Sequence, residues 1–180
     1  MAFNCTDIET FKTDLETNLS VAQNLRRESH ATIKIQSLLN IVIYALATRF
    51  LEGSIKLIIY NCAIMRGDST GQLETLESEL KKINNPEYNN IREEFQKHLN
   101  FDIVQGLING RISQTDISFL NEIVRNRHRN VHATHDPCEW YNNNLKDIIS
   151  DFPKEYQGLL KILTYLDSIR FDKSTNSFQD

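Results

Sequence analysis

The segment from residue 123 to residue 136 combines two side-chain types that can do chemistry together. It reads IVRNRHRNVHATHD and holds three arginines and three of the five histidines of the chain. These six residues are Arg125, Arg127, Arg129, His128, His132 and His135. Histidine exchanges a proton near neutral pH, and arginine stays charged and presents a planar fork that matches phosphate oxygens. The pattern therefore predicts chemistry on a phosphate ester.

Cleavage of an RNA phosphodiester without a metal ion uses these two types of group. A base removes the proton of the 2'-hydroxyl, a cation stabilises the crowded phosphorane, and an acid protonates the leaving oxygen. The expected products are a 2',3'-cyclic phosphate and a 5'-hydroxyl. This chemistry requires no metal and no cofactor.

The helix that carries the cluster interrupts its own apolar face. The apolar stripe consists of Ile117, Leu120, Val124 and Val131, which recur at helical spacing. Arg127 and His128 lie between Val124 and Val131 on this stripe. Side chains of these types on an apolar face must be satisfied by partners, meet another subunit or line a cleft.

The composition limits how the chain can hold nucleic acid. Its 180 residues include 20 basic and 24 acidic side chains, a formal net charge of -4. Bulk charge therefore does not attract RNA, and any contact with RNA must come from the local cationic cluster. Only 6 glycines and 3 prolines are present, which disfavours an all-β fold with its many special turns.

Cysteine use and the apolar runs indicate the compartment. Cys5, Cys62 and Cys138 show no CxxC spacing, which favours a reducing compartment over a disulfide framework. The N-terminus carries acidic residues where a signal peptide needs a basic end. The longest stretch without charges, residues 35–48, is too short to span a bilayer. We expect a soluble cytoplasmic protein that makes no membrane contact.

Helical periodicity dominates and predicts an all-α fold, with one domain over residues 1–172. Two long helices come first, one from residue 6 or 7 to between 26 and 30, and one over 31–65. Shorter helices are predicted at about 73–83, 90–99, 102–108, 116–130, 136–150 and 153–169. Thr115 is the predicted N-cap of the helix over 116–130. No strand is predicted, and the polar tail of residues 173–180 is expected to be disordered.

The chain resembles the HEPN domains, and most closely their RiboL-PSP and MAE-type nucleases. Their hallmark is an arginine, usually followed by a polar residue, and then a histidine after a gap of four to six residues. Arg127 and His132 match the four-residue gap, and Arg125-Asn126 counted to the same histidine matches the six-residue gap. The segments FLNEIVRNRHRNVHA and YALATRFLEGSIKLII look like the motif-bearing helix and the long preceding helix of these proteins. Ala133 replaces the glycine that usually follows the motif histidine.

This resemblance implies a HEPN-like helical bundle that forms a homodimer, with two copies of the motif meeting in one composite RNase site. It also implies a metal-independent endoribonuclease of a toxin–antitoxin or phage-defence system, with RNA as substrate and an antitoxin or other defence protein as partner. The implied catalytic residues are His132, as general base or acid, and Arg127, as phosphate ligand. The implied supporting and RNA-binding residues are Arg125, Asn126, His128 and Arg129. Some family members are not catalytic and only bind RNA, a nucleotide or a protein, which is the alternative function.

Helix geometry and motif spacing disagree about which arginine pairs with His132. On a straight helix, residues seven apart are offset by about 20° and residues five apart by about 140°, which favours Arg125. The shorter motif gap and the position on the apolar stripe favour Arg127. We rank Arg127 first and keep Arg125 as the alternative.

Two interpretations without RNA chemistry remain open for the cluster. Basic residues in the last turn of a helix complement its dipole, which explains Arg129 but not Arg127 on the apolar stripe. The second interpretation is a metal site, although three nearby arginines would repel a divalent cation. Its potential ligands at short spacing are His128, His132, His135 and Cys138.

Glu52, Lys56 and His135 are secondary candidates for the site. Glu52 follows a Phe-Leu pair in the long helix and resembles a polar position that some HEPN groups keep near their active site. The alternative is an ordinary i, i+4 ion pair between Glu52 and Lys56, worth about 0.2–0.5 kcal/mol.

Overall fold

The computed structural model describes residues 3–28, 33–131 and 147–180, and these residues are predominantly helical. Their helices are α1 (Thr6–Glu28), α2 (Ile33–Arg66), α3 (Thr70–Leu80), α4 (Tyr88–Leu99), α5 (Gln105–Ile108), α6 (Gln114–Val131) and α7 (Phe152–Asp167). Two short strands follow, β1 (Arg170–Asp172) and β2 (Ser177–Gln179). The predicted all-α class is confirmed, and so are the two long helices at the N-terminus.

Helix α2 forms the centre of the bundle because it is apolar on most of its surface. It packs against α1 on one side and against α6 and α7 on others, with α3 and α4 at its C-terminal end. Leu51, Ile55 and Ile59 are fully buried along it. No helix among the described residues is both long enough and apolar enough to cross a membrane.

Helices α6 and α7 approach each other closely at Gly158. A Cβ atom on Gly158 would lie 2.9 Å from the Cβ of Phe119 and 3.2 Å from the Cα of Asp116. Because one of these atoms belongs to the backbone of α6, no side-chain rotation can make room. Glycine therefore sets the distance between the two helices.

Replacing Gly158 with alanine is expected to lower the free energy of unfolding by about 1–3 kcal/mol, because the helices must separate. Gly71 is the matched control: it also lies in a helix, and a Cβ there would meet nothing within 4 Å. Gly71→Ala should raise the free energy of unfolding by about 0.4–1 kcal/mol. Denaturant titration of both variants measures this, and equal effects would contradict the packing described here.

The C-terminus ends in a β-hairpin that replaces the disordered tail expected for residues 173–180. Strands β1 and β2 pair antiparallel, with Phe171 opposite Phe178. The two rings meet edge to face at 5.0 Å, and the guanidinium of Arg66 lies 5.9 Å from the ring centre of Phe178. The Asp172 carboxylate accepts hydrogen bonds from Ser174 and Thr175, which shapes the turn. These contacts fold a segment that is too short and too polar to show strand alternation.

Residues 147–151 form a turn, although the sequence predicts a helix as far as residue 150. The Asp147 carboxylate accepts hydrogen bonds from the backbone N–H groups of Ile149 and Ser150. The backbone N–H of Phe152 donates to the carbonyl of Asp147, and α7 begins there. A side-chain oxygen of Asp147 thus satisfies donors that a helix would have paired with carbonyls.

Candidate active site

Ser113 and Asp116 fix the start of α6, the helix that carries the arginines of the motif. The backbone N–H of Ser113 donates to Asp116 Oδ2 at 2.7 Å, and the backbone N–H of Asp116 donates to Ser113 Oγ at 3.2 Å. This is a capping box, so the prediction of Thr115 as N-cap is wrong. Ser113 and Thr115 are both residue types that favour the N-cap, and the path of the chain into the helix places Ser113 there. Lys161 of α7 adds a contact to Asp116 Oδ2 at 2.9 Å.

Burial raises the pKa of Asp116, but hydrogen bonds from Ser113 and Lys161 outweigh it and hold the pKa below its ordinary value of 3.8. A depressed pKa stabilises the fold above pH 3.8, and this stabilisation disappears as the pH falls through the pKa of the folded state. Asp116→Asn should therefore cost about 1 kcal/mol at pH 7 and less below pH 3.8. Urea denaturation of the wild type and of Asp116→Asn, at pH 7 and below pH 3.8, measures this cost. A cost that does not change with pH would contradict a charged Asp116.

The inner face of α6 is apolar as far as Val124. Leu120, Ile123 and Val124 are fully buried, and Ile117 is nearly so. The predicted stripe is confirmed for the residues whose side chains the structure describes. Arg127 comes three residues after Val124 and four after Ile123, which places it on the same face.

Arg127 leaves the apolar face toward the loop between α3 and α4. Its Nη2 donates to the backbone carbonyl of Asn84 at 3.1 Å, and the residue is half-buried. The guanidinium thus lies at the edge of the core, where solvent reaches it. The planar fork of an arginine is the type of group that binds phosphate oxygens.

Arg125 has different surroundings, although it lies only two residues away. Its side chain is 50% exposed, and it faces two carboxylates, Glu122 at 3.7 Å and Glu87 at 3.8 Å. Exposed ion pairs of this length contribute little to stability. They do place negative charge where a phosphate would have to bind. The ranking of Arg127 before Arg125 as the phosphate ligand stays a prediction.

Asn126 points inward and is 1% exposed. Its Nδ2 donates to the carbonyl of Glu122 at 2.8 Å, one turn earlier in the helix. A buried amide cannot touch RNA directly. Of the two supporting roles that the sequence suggests, orientation of a neighbouring group fits this position and direct RNA binding does not.

The remaining predicted residues divide into two groups. Glu52 and Lys56 form an ion pair at 2.6 Å within α2, which fits the ordinary i, i+4 pair. The backbone of His128 and Arg129 belongs to α6, but their side chains lie outside the described residues. His132, His135 and Cys138 lie wholly outside them, so the metal alternative is untested there. Within the described part of the chain, no three histidine, cysteine or acidic residues come together as metal ligands.

No protein-family model, curated protein or solved structure matches this chain. The interpretation of the site therefore depends on the geometry of α6 and on the motif in its sequence.

A buried polar pair, missed from the sequence, lies between α2 and α7. Glu155 is 2% exposed, and the hydroxyl of Tyr44 donates to its Oε2 at 2.7 Å. Burial raises the pKa of Tyr44, and the hydrogen bond and charge of Glu155 raise it further, so the hydroxyl stays protonated and donates. Glu155 lies between Phe152 and Leu159 on the apolar face of α7. A charged residue on the apolar face of a helix is the pattern that identified Arg127 in α6. The same pattern would have identified Glu155.

Proposed function

We propose that this protein is a metal-independent endoribonuclease of HEPN type that cleaves RNA through the 2'-hydroxyl at the C-terminal half of α6. The observation that carries the proposal is the position of Arg127. It follows the buried Leu120, Ile123 and Val124 on the inner face of α6, yet its guanidinium reaches the protein surface. A stabilising role alone is better served by leucine or isoleucine there.

The roles divide between the two charged residues of the motif. Arg127 binds the scissile phosphate and stabilises the charge that develops on the phosphorane. His132, five residues further along the chain, exchanges the proton of the 2'-hydroxyl or of the leaving oxygen. Arg125 supports phosphate binding at lower occupancy, because Glu87 and Glu122 compete for it.

The charge of the chain determines how RNA reaches this site. A formal net charge of -4 repels a polyanion at long range, so binding depends on a few local contacts. Affinity should fall with rising salt, as it does whenever cations replace counterions on phosphates. A toxin–antitoxin or phage-defence setting, a protein partner and a site shared between two copies follow from the resemblance and stay predictions.

The test compares arginine variants on a mixed RNA substrate in EDTA. We expect Arg127→Ala to lower the cleavage rate by about 10²- to 10³-fold, as removal of a transition-state donor does. Arg125→Ala should lower it less, by under about tenfold. Arg92→Ala is the control, because Arg92 is an arginine of α4 that is about as exposed as Arg125 and pairs with Asp102. Circular dichroism must show that all variants are folded.

Two other outcomes would replace the proposal. RNA binding that depends on salt and Arg127, without cleavage by any folded form, would indicate the non-catalytic binding module. A folded wild type that neither binds nor cleaves RNA, with Arg127→Ala losing only stability, would indicate a basic helix end with a structural role.

A further inference from the structure

A cavity of about 150 Å³ lies between α2, α4 and the loop that joins α3 to α4. Its floor is apolar, because Ile55 of α2 and Ile91 of α4 are buried there. Pockets for drug-sized ligands span about 300–1,000 Å³, so this cavity suits a group smaller than a whole nucleotide. Proteins that read single-stranded RNA take unpaired bases one by one, packing the apolar face and hydrogen-bonding the polar edge. The cavity has the size and the apolar floor for one such base.

Asn84 connects this cavity to the proposed phosphate ligand. Its backbone carbonyl accepts the hydrogen bond from Arg127 Nη2 at 3.1 Å, and the same residue borders the cavity. A phosphate at Arg127 and a base in the cavity would therefore be separated by little more than one residue. A nucleotide carries its phosphate and its base on one sugar, so a strand held at Arg127 can place a neighbouring base in the cavity.

The polar groups around the cavity are mostly hydrogen-bond acceptors. The Asn84 side chain is exposed and forms no hydrogen bond with another described residue, which leaves its amide one edge with a donor and an acceptor. Asn90 Nδ2 donates to the carbonyl of Asn85 at 2.8 Å, so its oxygen is left as an acceptor. Glu93 adds a carboxylate that no ion pair joins to another described residue. One amide edge thus lies among additional acceptors.

This set of groups distinguishes bases that carry an exocyclic amine from those that do not. The amide of Asn84 can pair with two adjacent polar atoms of any base edge, so it does not discriminate alone. The amine of adenine, cytosine or guanine has a further N–H for Asn90 Oδ1 or the Glu93 carboxylate. Uracil has no amine, so these acceptors would stay without a donor when it binds, which costs affinity.

We propose that this cavity binds one unpaired RNA base with an exocyclic amine, next to the phosphate at Arg127. The inference rests on the proposed function, because it needs an RNA strand at that arginine. Asn84 pairs with the edge of the base, and Asn90 and Glu93 accept hydrogen bonds from the amine. Lys82, an exposed residue that also borders the cavity, offsets the charge of Glu93 toward the RNA backbone.

Fluorescence anisotropy with short 2'-fluoro oligonucleotides tests base binding apart from cleavage, because these strands lack the attacking hydroxyl. Each strand is uracil throughout except for one central adenine, cytosine, guanine or hypoxanthine. Hypoxanthine is guanine without its amine, and uracil is cytosine with a carbonyl in place of the amine. We expect a strand with adenine, cytosine or guanine to bind about tenfold more tightly than the all-uracil strand. The hypoxanthine strand should bind like uracil, and the three amino-bearing strands identify the preferred base.

Three asparagine variants locate this preference. Asn84→Ala removes the amide but keeps the backbone carbonyl that Arg127 contacts, so it should abolish the tenfold preference and leave uracil binding unchanged. Asn90→Ala removes one acceptor of the amine and should reduce the preference by about threefold. Asn89→Ala is the matched control, because Asn89 is an exposed neighbour in α4 that does not border the cavity. It should keep the full preference.

Cleavage of the same sequences as ordinary RNA in EDTA reports on the proposed function separately. A base preference that Asn84→Ala removes, without cleavage, would support the cavity and replace the nuclease by the binding module. Cleavage with equal affinity for all strands would overturn the cavity and leave the proposed function standing. The cavity is also overturned by a preference for uracil or hypoxanthine, or by one that persists in Asn84→Ala and Asn90→Ala. A folded wild type that binds none of the strands overturns it as well.

Discussion

Replacing His132 with alanine should lower the rate of RNA cleavage by about 10²- to 10⁴-fold, the range for removal of a group that transfers a proton in the transition state. The imidazole is the one group of the Arg127–His132 pair that can give and take a proton near neutral pH. RNA affinity should change much less, because the proposed phosphate ligand is Arg127. The variant therefore separates catalysis from binding.

Single-turnover cleavage of a labelled RNA in EDTA, with enzyme in excess, measures this loss. His135→Ala is the matched control, because it removes a histidine three residues further along the chain. We expect His135→Ala to lose under about tenfold, since the motif spacing selects His132 as the proton-transfer group. Equal losses in both variants, or none in His132→Ala, would contradict the role given to His132.

Replacing Phe152 with alanine is expected to lower the free energy of unfolding by about 3–5 kcal/mol, the usual cost of emptying a buried aromatic site. The ring is fully buried at the start of α7. It meets Tyr44 edge-on at 5.2 Å and stacks on Tyr156 at 5.6 Å. The substitution would weaken the contact of α7 with α2, where the Tyr44 hydroxyl also donates to the buried carboxylate of Glu155.

Urea denaturation followed by circular dichroism measures the effect on stability. Ile64→Ala serves as the control, because Ile64 is half exposed on α2 and its truncation should change the free energy by under about 0.5 kcal/mol. A loss of less than about 1 kcal/mol for Phe152→Ala would show that the aromatic cluster does not anchor α7.

The helical fold could be predicted because its information is local. Apolar residues at spacings of three and four define the inner faces of α1 and α6, and the structure buries Leu15, Ala22, Leu120 and Val124 as the pattern requires. The same pattern identified Arg127 as a charged residue on an apolar face. These features depend on neighbours within one helix, which the sequence displays directly.

The remaining features depend on contacts between distant segments. The hairpin depends on Phe178 packing against Phe171 and under Arg66, and three-residue strands have no visible alternation. The surroundings of Arg125 and Arg127 depend on the path of the loop that brings Glu87 to one arginine and the Asn84 carbonyl to the other. A sequence pattern contains the residue types for such contacts but not their distances.

The end groups of RNA fragments made by the wild-type protein in EDTA test the central claim most directly. Attack by the 2'-hydroxyl leaves a 2',3'-cyclic phosphate on one fragment and a 5'-hydroxyl on the other, and mass spectrometry distinguishes these from other ends. We expect these ends from the wild type, and the same ends at a rate about 10²- to 10³-fold lower from Arg127→Ala. Fragments with 3'-hydroxyl and 5'-phosphate ends, or no cleavage by folded wild-type protein, would contradict it.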